Sequence, residues 1–120
     1  MRESKLWFLF IAAGVVMIVL LAVHMAVMHL DDLMKAVGLS QGDVLSAESV
    51  AERSKDILHV ILYVLLLATA LFHGFYGLRS VVRELPLSKF LKDLSEVVLP
   101  TVGVIFFLWG MTAIILGYIR

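Results

Sequence analysis

Three uncharged and mostly apolar runs divide the chain: Leu6–Leu30 (25 residues), Ile57–Leu78 (22 residues) and Val97–Ile119 (23 residues). Crossing a hydrocarbon core takes about 20 helical residues. The pattern therefore predicts three transmembrane helices, over 6–30, 57–78 and 97–119. The first run is too long for a cleaved signal peptide, and no small-residue cleavage site follows it. Between the first two runs lies a polar segment, Asp31–Asp56. Its stretch Gly38–Asp43 reads as a turn, and Ser49-Val50-Ala51-Glu52 has the form of a capping box. The second helix is thus expected to start near residue 49 and to project beyond the bilayer. Arg79–Glu96 reads as a short second loop containing Pro86. Pro100 is expected in the first turn of the third span, where proline is tolerated.

Composition agrees with the pattern. Of 120 residues, 62% are hydrophobic and 17% charged, and the mean hydropathy is +1.02. Soluble domains run at about half apolar and about a quarter charged. The expected fold is a single-domain, all-α integral membrane protein. A formal net charge of zero gives no footprint for nucleic acid. The absence of cysteine excludes disulfides, thiolate-held iron–sulfur clusters and covalent c-type haem within the chain. So little polar mass leaves no room for a flavin or nucleotide domain, so any enzymatic role is that of a subunit. Arg2, Lys5, Arg79, Arg83, Lys89 and Lys92 bias the N-terminus and second loop toward the cytoplasm. The first loop, with six carboxylates against three basic residues, and the C-terminus are expected outside.

All four histidines fall in the spans or at their ends. An ionisable group at membrane depth is costly and marks a functional site by default. Neutral imidazole is also a common ligand to haem iron. His73 stands within Ala70-Leu-Phe-His-Gly-Phe-Tyr-Gly77, where Gly74 and Gly77 would let a large flat ring approach the backbone. His59 and His73 share one helix face, about 21 Å apart along the axis. His24 and His29 point roughly 140° apart and are not expected to serve one partner. Two levels follow: an outer one with His24, His29 and His59, and an inner one with His73 alone. A bis-histidine haem at His73 would need its second imidazole from another chain. The plainer alternative for each histidine is a hydrogen bond to a neighbouring helix, or, for His29 and His59, a wet place at the helix–water boundary.

Several features read first as packing. Gly103, Gly110 and Gly117 recur every seven residues as a small-residue stripe on which another helix can pack. Gly14 could serve packing or the approach of a ring. Trp7 and Tyr118 suit the membrane–water interfaces, and Trp109 lies mid-span, as core or facing lipid.

His73, Gly77, Arg79 and Glu84 follow the pattern His-x3-Gly-x-Arg-x4-Asp with glutamate in the last place. In the first helix the run Val23-His24-Met25-Ala26-Val27-Met28-His29 stands against a pattern His-Met-x-x-Asn-His, with methionine in the place of asparagine. On these motifs the chain resembles the membrane-anchor cytochrome b subunits of succinate dehydrogenase and fumarate reductase, respiratory complex II. The resemblance runs from the first helix through Glu84 and extends to the third helix only in character. It implies three helices packed with a second anchor subunit into a haem-binding bundle in a prokaryotic cytoplasmic membrane. It implies haem b, one or two, with His73 and His24 as axial ligands and Gly77, Arg79 and His59 in the haem surroundings. It implies a flavoprotein and an iron–sulfur subunit as partners, and quinone as substrate. Tyr76, Ser80, Arg83 and Glu84 are the quinone-site candidates at the inner end, although Arg83 and Glu84 also read as a solvated pair. Two departures shift the quinone site toward the partner anchor. The first helix lacks the usual Ser/Arg pattern, and Leu85 stands where some relatives have a quinone-binding tyrosine. Two other readings use the same residues. One is a b-type anchor of a different quinone-linked oxidoreductase. The other is a cofactor-free structural or transport subunit, against which stands the lack of acidic or basic residues within the spans.

Overall fold

The computed structural model describes residues 2–38 and 46–120, apart from the side chains of Arg2 and Asp31. It is helical, with no strand among the described residues. The helices are α1 (Arg2–Ala36), α2 (Ala47–Lys55), α3 (Ile57–Glu84) and α4 (Lys89–Ile119). α1, α3 and α4 are each long and apolar enough to cross a membrane. In a medium without water only a helix or closed barrel satisfies every backbone group. The hydroxyls in these helices follow the same rule by donating to carbonyls of the preceding turn: Thr69 to Leu65 (2.8 Å), Thr101 to Val97 (2.7 Å) and Thr112 to Leu108 (2.8 Å).

The helix ends differ from the sequence expectation in three places. α1 runs past Leu30 and stops where Gly38 takes a left-handed φ of +78°, its N–H donating to the Lys35 carbonyl. The remainder of the turn expected at Gly38–Asp43 lies outside the described residues. The extension of the second span is a separate helix. Ser46, not Ser49, caps α2 by accepting from Ser49 N–H (3.2 Å). Asp56, in extended conformation, then ends α2 and caps α3 by accepting from Leu58 N–H (3.3 Å). A short acceptor side chain at this point satisfies an orphan N–H of α3 at the cost of helix continuity. Finally, α4 starts at Lys89, with Ser88 as its cap. Pro100 therefore sits inside the helix rather than in its first turn. The second loop shrinks to Leu85–Ser88.

α3 is the centre of the fold. α1 packs on one side of it and α4 on the other, and α1 and α4 do not pack together. α2 lies across α3 and α4 at the end opposite the chain's N-terminus. The result is a slab, 57 × 32 × 25 Å. Glycines allow the close approach. The α4 stripe is used within the chain: a Cβ at Gly110 would stand 2.6 Å from Leu67 Cδ2, at Gly103 3.4 Å from Phe75, and at Gly117 3.3 Å from Ser54. No described residue is fully buried, and large apolar side chains such as Trp109 and Phe90 are 72% exposed. Apolar surface on this scale marks lipid or partner contact rather than water.

Candidate functional site

α1 and α3 run antiparallel, and their register sets which histidine meets which residue. His73 meets Phe10 and Gly14, and His24 meets Tyr63, ten residues or about 15 Å further along α3. The two levels expected from spacing are therefore levels of the α1–α3 seam. His59 and His73 both face α1, as their common helix face required.

His73 is held on three sides. Its Nδ1 lies 3.0 Å from the Phe10 carbonyl oxygen. A carbonyl only accepts, so Nδ1 carries the proton and Nε2 keeps its lone pair. The imidazole stacks on the Phe10 ring at 4.3 Å between centroids and 7° between planes. Its Nδ1–Cε1 edge lies over Gly14, where an added Cβ would be 2.8 Å from Cε1 and 3.0 Å from Nδ1 but 3.8 Å from Nε2. Gly14 thus makes room for the histidine ring, and Nε2 is the nitrogen directed away from α1's backbone. This is the chemistry of a metal-ligating imidazole, with one nitrogen anchored to a backbone acceptor and the other free to coordinate. The residues present fit an axial haem ligand at His73. Phe10 is the residue that the sequence did not mark: it is 63 positions from its partner and reads as one more apolar residue of the first span.

The two glycines near His73 have different surroundings. Gly74 is exposed with nothing within 4 Å of an added Cβ, so it leaves α3 open on that side. Gly77 is already covered by the Phe10 ring, 3.1 Å from an added Cβ.

At the other level the histidines are held loosely. His24 is half-buried and meets Tyr63 edge-on at 5.9 Å. His59 lies 6.3 Å from the same ring, and its Nδ1 pairs with the Asp56 carboxylate. That bond, with the Leu58 N–H bond, lowers the Asp56 carboxyl below its usual range. His24, His59 and Tyr63 line one narrow crevice between α1 and α3. His29 is exposed. Tyr63 links the two histidines and was not marked by sequence.

Arg79 sits at the N-terminal end of the bundle and joins all three spanning helices. Its Nε donates to Glu96 Oε2 of α4 at 2.7 Å, and its Nη1 lies 3.6 Å from Glu3 of α1. Arg83 Nε lies 3.6 Å from the other Glu96 oxygen, so Arg83 pairs across to α4 and not with exposed Glu84. Lys92 Nζ donates to the Arg83 carbonyl (2.9 Å). The Ser80 hydroxyl donates to the Tyr76 carbonyl (3.1 Å). The Arg79–Glu96 and Arg83–Lys92 pairs are both centred on Leu87–Ser88, as an antiparallel helical hairpin requires. That symmetry is the signal by which Glu96 could have been found in the sequence. Among the described residues no three His, Cys, Asp or Glu side chains converge as a metal cage. No family model matches the chain, and neither a curated protein nor a solved structure matches it.

Proposed function

We propose that this chain is a membrane-anchor subunit of a succinate:quinone oxidoreductase, binding haem b together with a second anchor subunit. The observation that carries the proposal is His73: a histidine inside a spanning helix, fixed in one tautomer by the Phe10 carbonyl, with Nε2 free. Haem b, when bound, supplies one-electron transfer. The chain's part is to present Nε2 of His73, to hold that ring with Phe10 and Gly14, and to exclude water from it with lipid-exposed helices. Among the described residues no second histidine stands at the level of Gly14 and His73, so any second imidazole for the haem would have to come from the partner anchor. His24, which lines a crevice with His59, would hold a second haem. The flavoprotein and iron–sulfur subunits dock at the end carrying Arg79, Arg83, Lys89 and Lys92 and exchange electrons with quinone there.

The test is a pyridine haemochrome assay on the detergent-purified complex, scaled to protein, for wild type, His73→Ala and His24→Ala. Two haems b, one weakened by each substitution, is the expected result. Loss with His73→Ala alone would keep the anchor and remove His24 as a ligand. A wild-type complex without haem would sink the cytochrome reading and bring forward a structural subunit, in which His73 only ties α3 to α1.

A further inference from the structure

We infer that the N-terminal arm of α4, residues 89–99, is a hinged element that swings on Pro100, with the Arg79–Glu96 pair as its latch; this goes beyond the anchor reading and does not depend on it. α4 is held to α3 in two different ways on the two sides of Pro100. Beyond the proline the hold is close packing. An added Cβ would meet Phe75 at 3.4 Å from Gly103, Leu67 at 2.6 Å from Gly110 and Ser54 at 3.3 Å from Gly117. Phe75 also meets Phe106, at 6.3 Å between ring centroids. Helices packed through small residues at this range do not part without losing that packing. Before the proline the hold is polar. Glu96 takes Arg79 Nε at 2.7 Å and lies 3.6 Å from Arg83 Nε, and Lys92 Nζ donates to the Arg83 carbonyl at 2.9 Å. Glu96 and Arg83 are partly exposed, so water and ions compete for these ties.

Pro100 supplies the pivot. A proline inside a helix offers no N–H to the carbonyl four residues back, and its ring crowds that carbonyl. Here that carbonyl belongs to Glu96, the latch residue itself. The next carbonyl, of Val97, accepts from the Thr101 hydroxyl at 2.7 Å, so a side chain bridges the helix where its backbone bonding is weakest. Long helices bend at such points. The link from α3 to the arm holds slack, because Leu87 N–H donates to the Leu85 carbonyl at 2.8 Å and folds residues 85–88 back on themselves. The arm borders one end of the groove between α3 and α4, a space of about 370 Å³ whose walls include Tyr76, Arg79, Leu99 and Pro100. When the arm swings out, that end widens and Arg79 exchanges Glu96 for water while keeping Glu3. The remainder of the groove, from Gly103 onward, keeps its width.

The chain has no cysteine, so pairs of introduced cysteines carry spin labels without background. Phe90→Cys with Leu65→Cys reports the arm, and Trp109→Cys with Leu78→Cys reports the packed part of α4; all four side chains are exposed. The experiment is pulsed double electron–electron resonance on the full chain in nanodiscs. A main 65–90 distance with a minor second one is the expected result. Glu96→Gln should raise the minor share about fivefold, the factor for the upper end of partly exposed pairs. Salt at about 1 M should act in the same direction on the chain with Glu96 intact, by screening the pair. Pro100→Ala added to Glu96→Gln should restore the narrow distribution, because alanine returns an N–H to the Glu96 carbonyl. The 78–109 distance should stay fixed throughout. A 65–90 distance that neither Glu96→Gln nor salt changes would overturn the latch. A Glu96→Gln change that persists with Pro100→Ala would overturn the hinge, since a lost tie alone is not repaired by straightening the helix. An equal change at 78–109 would mean that the whole α3–α4 hairpin loosens, and would overturn the inference too.

Discussion

The two histidine levels of the α1–α3 seam differ in how much of the ring is specified. At His73 a carbonyl, a parallel ring and a glycine fix the nitrogen that donates, the ring plane and its depth. At His24 and His59 the neighbours are one tyrosine edge and a carboxylate at a helix cap. The first arrangement specifies what a ligand must meet, because a ring held on three sides has little freedom left to lose on binding. The second has the contacts of an interfacial polar group, with His59 tied to the residue that starts α3. The seam teaches that an intramembrane histidine is better judged by what orients it than by its mere presence in an apolar run.

The comparison is broken most directly at Gly14. A side chain there must displace the His73 ring, since even a Cβ would come within 2.8 Å of it. Gly14→Leu is expected to destabilise the chain by about 3 kcal/mol, the upper range for overpacking, and to remove the haem assigned to His73. Gly74→Ala is the matched control, because an added Cβ there meets nothing. It should leave the His73 ring in place and unfolding unaltered or slightly later. Unfolding in graded SDS, followed by helicity, reads both variants. Equal behaviour of Gly14→Leu and Gly74→Ala would show that His73 is not held against α1.

A smaller effect is expected at the clasp that ties α1, α3 and α4 together below His73. The Arg79 side chain is only 19% exposed, and its Glu96 bond is short, but Glu3 is largely exposed. A double-mutant cycle over Arg79→Gln and Glu96→Gln should give a coupling of about 1 kcal/mol, the upper end for partly exposed pairs. The cycle over Arg79→Gln and Glu3→Gln should give close to none. The placement of the His73 ring, and any haem it holds, should survive all of these variants, because the ring's fixing contacts come from Phe10 and Gly14.

How much of this was legible in the sequence depends on the range of the interaction. The three spans follow from uncharged run length, and the two depths of His24 and His73 follow from rise per residue. Helix ends were read less well. Asp56 and Ser88 are ordinary polar residues whose capping role depends on one side-chain rotamer, and Pro100 looked N-terminal because α4 starts eight residues before its apolar run. The partners of His73 were not legible, since Phe10 and Gly14 acquire meaning only once α1 and α3 are in register. The glycine stripe on α4 was read correctly as packing, but its partners, Phe75, Leu67 and Ser54, lie in the same chain. Two of the proposed quinone contacts changed company for the same reason: Arg83 joins Glu96, and Ser80 turns to its own helix.

The smallest effect is at the far end of the seam, and it is one of pH. Asp56 ends α2, caps α3 and pairs with His59, and its carboxyl is lowered below its usual value by the His59 bond first and the Leu58 N–H second. A carboxyl lowered by folding stabilises the fold above its unfolded value, and that contribution fades as pH falls through the lowered one. Thermal unfolding of wild type should therefore weaken on acidification below the usual aspartate range. Asp56→Asn should be less stable at neutral pH and flatter across that interval. The residue is exposed, so the difference is small. It should appear in α2 first, because Asp56 is the single non-helical link between α2 and α3, and hydrogen exchange of the amides of 47–55 resolves it. An acid-induced change in exchange at 70–77 as large as that at 47–55 would mean that the two histidine levels are not independent, and the contrast between a specified ring and a capping ring would fail.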